Sequence, residues 1–294
     1  VIDKPAGMTS AAVVSVVRRL LGAAKAGHGG TLDPLATGVL PVALGEATKT
    51  AAYVVAGRKV YRFTVRWGEQ RDTDDAEGAV VATSGVRPDA DAVRAVLPGF
   101  CGDIEQVPPA FSAIKVGGKR AYALARAQLP VELPARPVHV DSITLVDVPD
   151  ADHGVFEVEA SKGVYMRALA RDIGQALGTF GHVVALRRLT VGPFSEKEAI
   201  PLDKLETIAH SPAVTEHLLP VGVALADIPA LLLTDAEANR LQHGRPIAAL
   251  PVASRSPFVA AARDGVVCAM AHGRPVALAQ IKGGEIRPVR ILNL

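Results

Sequence analysis

Cysteine is nearly missing from this chain: 294 residues contain only Cys101 and Cys268, 167 positions apart and outside any Cys-x-x-Cys pattern. That scarcity argues against a disulfide framework or a thiolate metal site and fits a reducing cytoplasm. Long apolar runs are missing too. Segments such as Ala51 to Ala56 fall far short of the roughly 20 residues a membrane helix needs, so no membrane association is expected. The opening Val1-Ile2-Asp3-Lys4-Pro5 has no charged region followed by an apolar stretch and reads as no signal peptide. It also lacks a start methionine, so the native N-terminus is expected to be trimmed or unseen. No long stretch is Gly/Ser-rich or of one charge, and 49% hydrophobic against 21% charged residues is a globular composition. The length suits one large domain, or a large one plus a small one.

Several cofactor motifs are missing as well. The glycines at 27, 29 and 30 suggest a dinucleotide loop, but Leu32 stands where the third glycine is required. The stretch from Gly45 to Thr50 lacks the second glycine of a phosphate-binding loop. An EF-hand starting at Asp72 would need a ligand at Ala76, glycine at Glu77 and glutamate at Thr83, and all three fail. Neither His-Glu-x-x-His nor Gly-x-Ser-x-Gly occurs. The expectation is chemistry without ATP, a redox cofactor or a metal.

What is present begins with an uneven charge distribution. Net charge is only +2, yet residues 231–294 carry eight Lys/Arg against four Asp/Glu, leaving −2 for the 230 residues before them. A small basic tail on a near-neutral body suits a module that touches phosphates. A first helix is predicted from Thr9-Ser10 to Gly22, with Val13, Val16, Val17, Leu20 and Leu21 at helical spacing. Asp33 precedes a proline, which keeps it out of helical dihedrals. Lys59 to Trp67 alternates as a strand, with Tyr61, Phe63, Val65 and Trp67 on one face. Further strands are predicted at Val138 to Val148 and Val155 to Ala160, then a turn at Ser161-Lys162-Gly163 and a helix from Val164 to Leu177. With no regular βαβ repeat, the predicted fold class is α+β, a body over residues 1–228 built on a mainly antiparallel sheet flanked by helices. Near residue 229 the pattern changes. Thr234 to Glu237 is a capping box, and short apolar runs at Phe258–Ala262, Val266–Ala271, Val276–Ile281 and Val289–Leu292 predict a small β-rich domain over 229–294.

Five separated segments resemble one family. They are Ile2-Asp-Lys-Pro-Ala-Gly-Met-Thr-Ser10, Gly27-His-Gly-Gly-Thr-Leu-Asp-Pro-Leu-Ala-Thr-Gly38, Lys59-Val-Tyr-Arg62, Pro108-Pro-Ala-Phe-Ser-Ala-Ile-Lys115 and Ser161-Lys-Gly-Val-Tyr-Met-Arg167. A sixth, Leu186-Arg-Arg188 ahead of Gly192-Pro-Phe194, also fits. Together they resemble the tRNA pseudouridine synthase B family, which modifies uridine 55 in the tRNA T-loop. The second segment is the most specific. The tail ending Gly284-Glu-Ile-Arg-Pro-Val-Arg290 looks like the RNA-binding PUA barrel that commonly closes such chains. One departure is Arg71, where the family often has threonine.

The resemblance implies a pseudouridine-synthase fold, tRNA as partner through its T-arm and elbow, and no cofactor. It also implies no guide RNA or obligatory protein partner, and a monomer is expected. Asp33 is the implied catalytic carboxylate, with Arg167 its charged partner. An isolated Asp-Pro is usually just a turn; the twelve-residue match gives this one its role. A carboxylate at a sugar carbon can act as nucleophile, stabilise positive charge or move a proton, and the residues leave all three open. Tyr61 is expected to stack on the target base, with Tyr165 and Leu186 walling its pocket. His28 is expected to fill the stack vacated by the flipped nucleotide, and Lys4 to contact phosphate or support the Asp33 loop. Arg171, four positions after Arg167, is expected on a solvated basic face. Arg58, Lys59, Arg62, Lys115, Lys119, Arg120, Arg126 and Arg188 are candidate phosphate contacts, about half of them bystanders. Two rivals remain: a non-catalytic RNA-binding protein or tRNA-folding chaperone, which would have no reason to keep Asp33 with Tyr61 and Arg167, and a guide-RNA-dependent synthase. A 294-residue chain without strongly basic extensions favours the stand-alone enzyme.

Overall fold

A computed structural model describes residues 1–112, 114–127, 129, 131–256 and 265–294. Its frame is one mixed sheet whose strands, in chain order, are β1 (Ile2–Lys4), β2 (Thr37–Leu40), β3 (Lys59–Trp67), β4 (Gly102–Gln106), β5 (Arg136–Asp150), β6 (His153–Ala160), β7 (Gly181–Val191), β8 (Phe194–Ser195) and β9 (Ile200–Pro201). Their spatial order is β9-β1-β2-β7-β3-β6-β5-β4, with β8 paired beside β7. Only β1–β9 and β2–β7 are parallel; every other joint is antiparallel. The expected mainly antiparallel α+β body is therefore what the chain forms.

Local signals set the helices. In α1 (Ser10–Leu20) the Thr9 hydroxyl accepts the Ala12 amide at 3.1 Å, and Val13 and Val17 point into the core. The helix α2 (Met166–Ala176) starts two residues after the predicted position, with Tyr165 as an extended N-cap. It buries Leu169, Ala170 and Ile173 against β3 and β7. Alternation in β3 turns Phe63, Val65 and Trp67 to the same core, where Phe63 stacks on Phe156 at 5.4 Å and Trp67 meets it edge-on.

Register lines up residues from five strands. Lys4 pairs with Gly38, Gly38 with Arg188, Arg188 with Tyr61 and Tyr61 with Val158, forming one row across β1, β2, β7, β3 and β6. Gly38 has φ +99°, and a Cβ there would stand 2.2 Å from the Arg188 carbonyl oxygen, so glycine is required where β2 and β7 run side by side. Pairing of β7 with β3 is interrupted by bulges between Val183 and Ala185 and between Arg188 and Thr190.

Buried cations cross-link the loops around this row. Lys4 is fully buried, and its Nζ donates to the carbonyls of Pro5, Met8 and Pro34 at 2.8, 2.6 and 3.1 Å. Lys59 donates to the carbonyls of Val55 and Gly57. Arg188 donates from Nε to Val39 and from Nη2 to Gly30. Lys4, Lys59 and Arg188 have no carboxylate within ion-pair reach among the described residues. Burial pushes Lys4 and Lys59 down to about 8, opposed at Lys4 by Asp33 and Glu77.

The tail forms a second core of Leu231, Leu241, Val267, Ala279 and Ile286, among others. Its strands β10 (Ala230–Leu232), β11 (Ile247–Ala248), β12 (Val266–Ala271), β13 (Arg274–Lys282) and β14 (Glu285–Ile291) form a curled half-barrel in the order β10-β12-β13-β14-β11. The outer strands β10 and β11 are not paired with each other among the described residues. The capping box forms: Thr234 Oγ1 accepts from the Glu237 amide and Glu237 Oε2 from the Thr234 amide, opening α3 (Asp235–Gln242). The predicted run Phe258–Ala262 lies outside the described residues. Leu225, Cys268, Leu278 and Leu292 pack with Tyr53 and Val221, joining tail to body, and Lys49 Nζ donates to the Ile291 carbonyl at 2.8 Å.

Two outcomes test this packing. A Cβ at Gly181 would lie 2.6 Å from the Ala170 carbonyl and 3.1 Å from Trp67 and Val65 side-chain atoms. Gly181→Ala is therefore expected to destabilise the protein by about 1–3 kcal/mol in urea denaturation; unchanged stability would show that α2 and β7 do not approach so closely. For Lys4, the folded value near 8 lies below the ordinary 10.5. Between those values the unfolded chain binds more protons, so the cost of the buried charge is full below pH 8 and fades towards 10.5. The stability difference between wild type and Lys4→Met should grow in favour of wild type across that window. A constant difference would mean the ammonium is not desolvated.

Candidate active site

Asp33 sits in the loop between the Ala26–His28 strand and β2, and several anchors fix that loop. The Leu32 amide donates to the buried Ser10 Oγ at 2.8 Å, and Ser10 Oγ donates back to the Leu32 carbonyl at 3.1 Å. The Pro34 carbonyl accepts from both the Gly7 amide and Lys4 Nζ, while the Ala36 amide closes a turn onto the Asp33 carbonyl at 3.1 Å. The backbone on both sides of Asp33 is thus held, and 34% of its side chain remains exposed. The two cavities that stand out lie elsewhere: an apolar one of about 310 Å³ behind β1 and α1, and one beside Asp3 and Arg187. Neither is lined by Asp33, whose carboxylate is partly exposed.

Arg167, buried in the first turn of α2, is the hub. Nη1 donates to the Thr73 carbonyl and Nη2 to the Phe111 carbonyl, both at 2.9 Å. Its Nη1 is also 3.5 Å from Asp75 Oδ2, and its Nε lies 2.9 Å from Asp33 Oδ2. The Nε–H does not point at that oxygen and has no hydrogen-bond partner, so this contact is an ion pair without an aligned hydrogen bond. Two backbone acceptors fix the guanidinium plane and two carboxylates balance its charge. The Nε edge is left for Asp33. Segments distant in sequence, around 33, 73–75, 111 and 167, meet on this one side chain.

The other expected residues have varied positions. Tyr61 is partly buried at the end of the Phe63–Trp67 face and packs against the core, and Leu186, paired with Phe63, is buried in the same cluster. Tyr165 precedes Arg167 by two residues; its amide donates to Gln106 Oε1 at 2.8 Å and its carbonyl accepts from Gln106 Nε2 at 3.2 Å. His28 ends its strand half-buried, with Nδ1 buried and unpartnered. Burial first, and the Arg188 charge second, push its imidazole below the usual 6.5, so it is neutral at pH 7. Lys4 has no exposed surface and three carbonyl partners, so of its two expected roles the geometry allows loop support and leaves no donor for a phosphate.

Among the candidate phosphate contacts, Lys59 and Arg188 are corrected: both are buried and bonded to backbone carbonyls. Arg58 pairs with Asp141 and Arg62 with Glu157. Lys115 is exposed, and Arg126 lies over the Tyr122 ring. The side chains of Lys119 and Arg120 lie outside the described residues. Arg171 is a second correction: it is ion-paired with Asp74 and Asp172 and is not on a solvated face.

Sequence reasoning missed Ser10, Thr73, Asp75 and Gln106. In the sequence Ser10 reads as a helix cap at the end of the first matching segment. Asp75 lies in an acidic stretch that fails as a calcium loop, and its partner Arg167 is more than ninety residues away, so no local signal marks it. Gln106 left no signal in the sequence.

Comparison with known proteins identifies the family and the fold. Residues 18–166 match the TruB family pseudouridylate synthase (N terminal domain), and residues 167–226 match the tRNA pseudouridylate synthase B C-terminal domain. The tRNA pseudouridine synthase B of Rhodospirillum rubrum is 56% identical over 293 residues, covering 100% of this chain and 95% of that protein. That of Gluconacetobacter diazotrophicus is 58% identical over 293 residues, covering 99% and 96%. The crystal structure of a Cbf5-Nop10-Gar1 complex shares the fold with a TM-score of 0.77 at 26% identity, covering 99% of this chain and 83% of that one. The structure of an H/ACA RNP bound to a substrate RNA containing 2′-deoxyuridine gives a TM-score of 0.76 at 25% identity, covering 100% and 84%. Matched from residue 18 to residue 226 and more than half identical to full-length relatives, this chain belongs to the TruB family of pseudouridylate synthases.

Proposed function

We propose that this protein isomerises uridine to pseudouridine at position 55 in the T-loop of tRNA, with Asp33 as the catalytic carboxylate. The observation that carries the reading is the solvent-facing Asp33 carboxylate paired with buried Arg167. The C1′–N1 bond breaks, the base turns, and C5 joins C1′. Atoms and electrons balance within the substrate, so no cosubstrate or cofactor is required. Asp33 meets the sugar carbon or its developing positive charge, or moves the proton released from C5. Arg167 stays beside Asp33 as its charged partner, and the proton released from C5 ends on N1.

Reaching the base requires its extrusion, which costs a few kcal/mol. Tyr61 offers an aromatic face at the edge of the core, with Leu186 and Tyr165 as pocket walls. Neutral His28 occupies the stacking space left by the uridine. Lys4 acts from within, fixing the loop of Asp33. Residues 229–294 form a PUA-like module that reaches a second part of the tRNA through its excess of Lys/Arg. The protein works in the cytoplasm as a monomer.

A second reading is a guide-dependent enzyme, because the solved neighbours include an H/ACA RNP. Identity of 56–58% to two tRNA pseudouridine synthase B relatives covered almost end to end, against 25–26% to those neighbours, favours activity without a guide.

Asp33→Asn should lower single-turnover pseudouridine formation by at least about 10³-fold, read by carbodiimide labelling, with tRNA affinity largely kept. Equal product from both proteins would leave a non-catalytic RNA binder as the better description. Wild type should also modify a bare T-arm stem-loop with no guide, and should bind full-length tRNA more tightly than that stem-loop. Inactivity on the stem-loop would support the guide-dependent reading, and equal affinities would remove the role given to the tail.

A further inference from the structure

Arg171 lies four residues after Arg167 on α2, and what it touches is the loop that grips Arg167. Its Nη1 is 2.9 Å from Asp74 Oδ2, its Nη2 donates to the Val107 carbonyl at 2.7 Å, and its Nε donates to Asp172 at 2.8 Å. Asp74 is only 8% exposed and has φ +59°, a left-handed backbone that is uncommon for any residue but glycine. Its amide donates to the Arg71 carbonyl and its carbonyl accepts from the Val183 amide, both at 3.1 Å. The residues on either side both face Arg167: the Thr73 carbonyl and the Asp75 carboxylate approach the same Nη1. A left-handed residue between them makes that double approach possible.

Arg71, the departure from the family's usual threonine, closes the other end of this loop. Its Nη1 donates to the Gly78 carbonyl at 2.8 Å, and its Nη2 pairs with Glu69 at 2.9 Å. The acidic stretch 72–77 is therefore a shaped element pinned from both sides and not a solvated charge run.

We propose that Arg171 and Asp74 are positioning residues for the isomerisation: their ion pair holds the turn at 73–75, and that turn orients Arg167 towards Asp33. This inference rests on the reading of Asp33 as the catalytic acid. It assigns no contact between Arg171 and RNA. The charged groups around Asp74 are Arg171, Arg167 and Asp172; burial outweighs the two arginines and pushes its carboxyl up to about 6. Protonation below that pH removes the charge from the pair, so turnover falls with it. Stability moves the opposite way. With a folded value above the ordinary 3.8, the native state binds more protons between about pH 4 and 6, so this group's contribution to stability declines as pH rises through that window. A merely structural pair would not couple to the rate in this manner.

The test is single-turnover conversion of tRNA with tRNA dissociation constants measured in parallel, from pH 5 to 8. Arg171→Met should slow conversion at least about tenfold, since small misplacements near reacting groups carry losses of that size, with affinity changed less than about twofold. Arg171→Lys should recover much of the rate. Asp74→Asn should be slower at pH 7.5 and should lack the wild-type rise in rate near pH 6. Full activity of Arg171→Met would overturn the proposal, as would Arg171→Lys no faster than Arg171→Met or an unchanged pH step in Asp74→Asn. Affinity falling in step with rate would overturn it too, by showing direct RNA contact. If Asp33→Asn is inactive while Arg171→Met is fully active, only this inference fails; an active Asp33→Asn removes the reading beneath it.

Discussion

A guanidinium sealed from water sets the terms for the whole active site. Arg167 is buried on a helix and cannot be left without compensation, because an unpaired charge in a protein interior costs several kcal/mol. Its compensation comes from chain segments with nothing else in common: the Asp33 loop, the 73–75 turn and the backbone at Phe111. Folding must bring these together to satisfy one side chain, so assembling the site and burying the charge are the same event. The division of labour matters. Backbone carbonyls fix the orientation and both carboxylates supply charge through ion pairs without aligned hydrogen bonds, Asp33 being the acid nearer solvent. That acid keeps lone pairs unused by the fold.

The same economy governs the loops beneath. Lys4, Lys59 and Arg188 are long cations used as cross-links between backbone carbonyls, in places where short polar side chains could not span the gap. Lys4, together with the Gly7 amide, ties the turn at 5–8 to Pro34, next to Asp33. The desolvation this entails is visible in the lowered lysine values, and it gives a rigid loop in return. Interior position, more than charge, decides what these residues do.

Much of this was legible in the sequence, and for identifiable reasons. The 59–67 strand coincides with its alternation pattern, the first helix with its Thr9 cap, and the 235–242 helix with its capping box. Asp33 and Arg167 were readable because their motifs are unusual, and the structure brings them into contact. Periodicity and motif cannot show which basic residues face inwards. Arg188, in an otherwise ordinary strand, looks the same on paper whether it meets phosphate or the Val39 carbonyl. Likewise the acidic stretch at 72–77 reads on paper only as a calcium loop that fails, because its partners Arg167 and Arg171 lie more than ninety residues away. Non-local pairing is the information that local patterns lack.

The stretch of β7 between its two bulges has little tolerance of altered length. Between them, Leu186 and Arg188 turn inwards while Arg187 turns out to Asp3 and Glu196. Side chains alternate with a period of two, so one added or lost residue in that stretch would send Arg188 into water and leave Arg187 under the loop it supports. Substitutions there change one contact; a frame slip exchanges inside for outside across the whole segment. The spacing from Leu186 to Arg188 thus works as a molecular ruler, and its tolerance is less than a single residue.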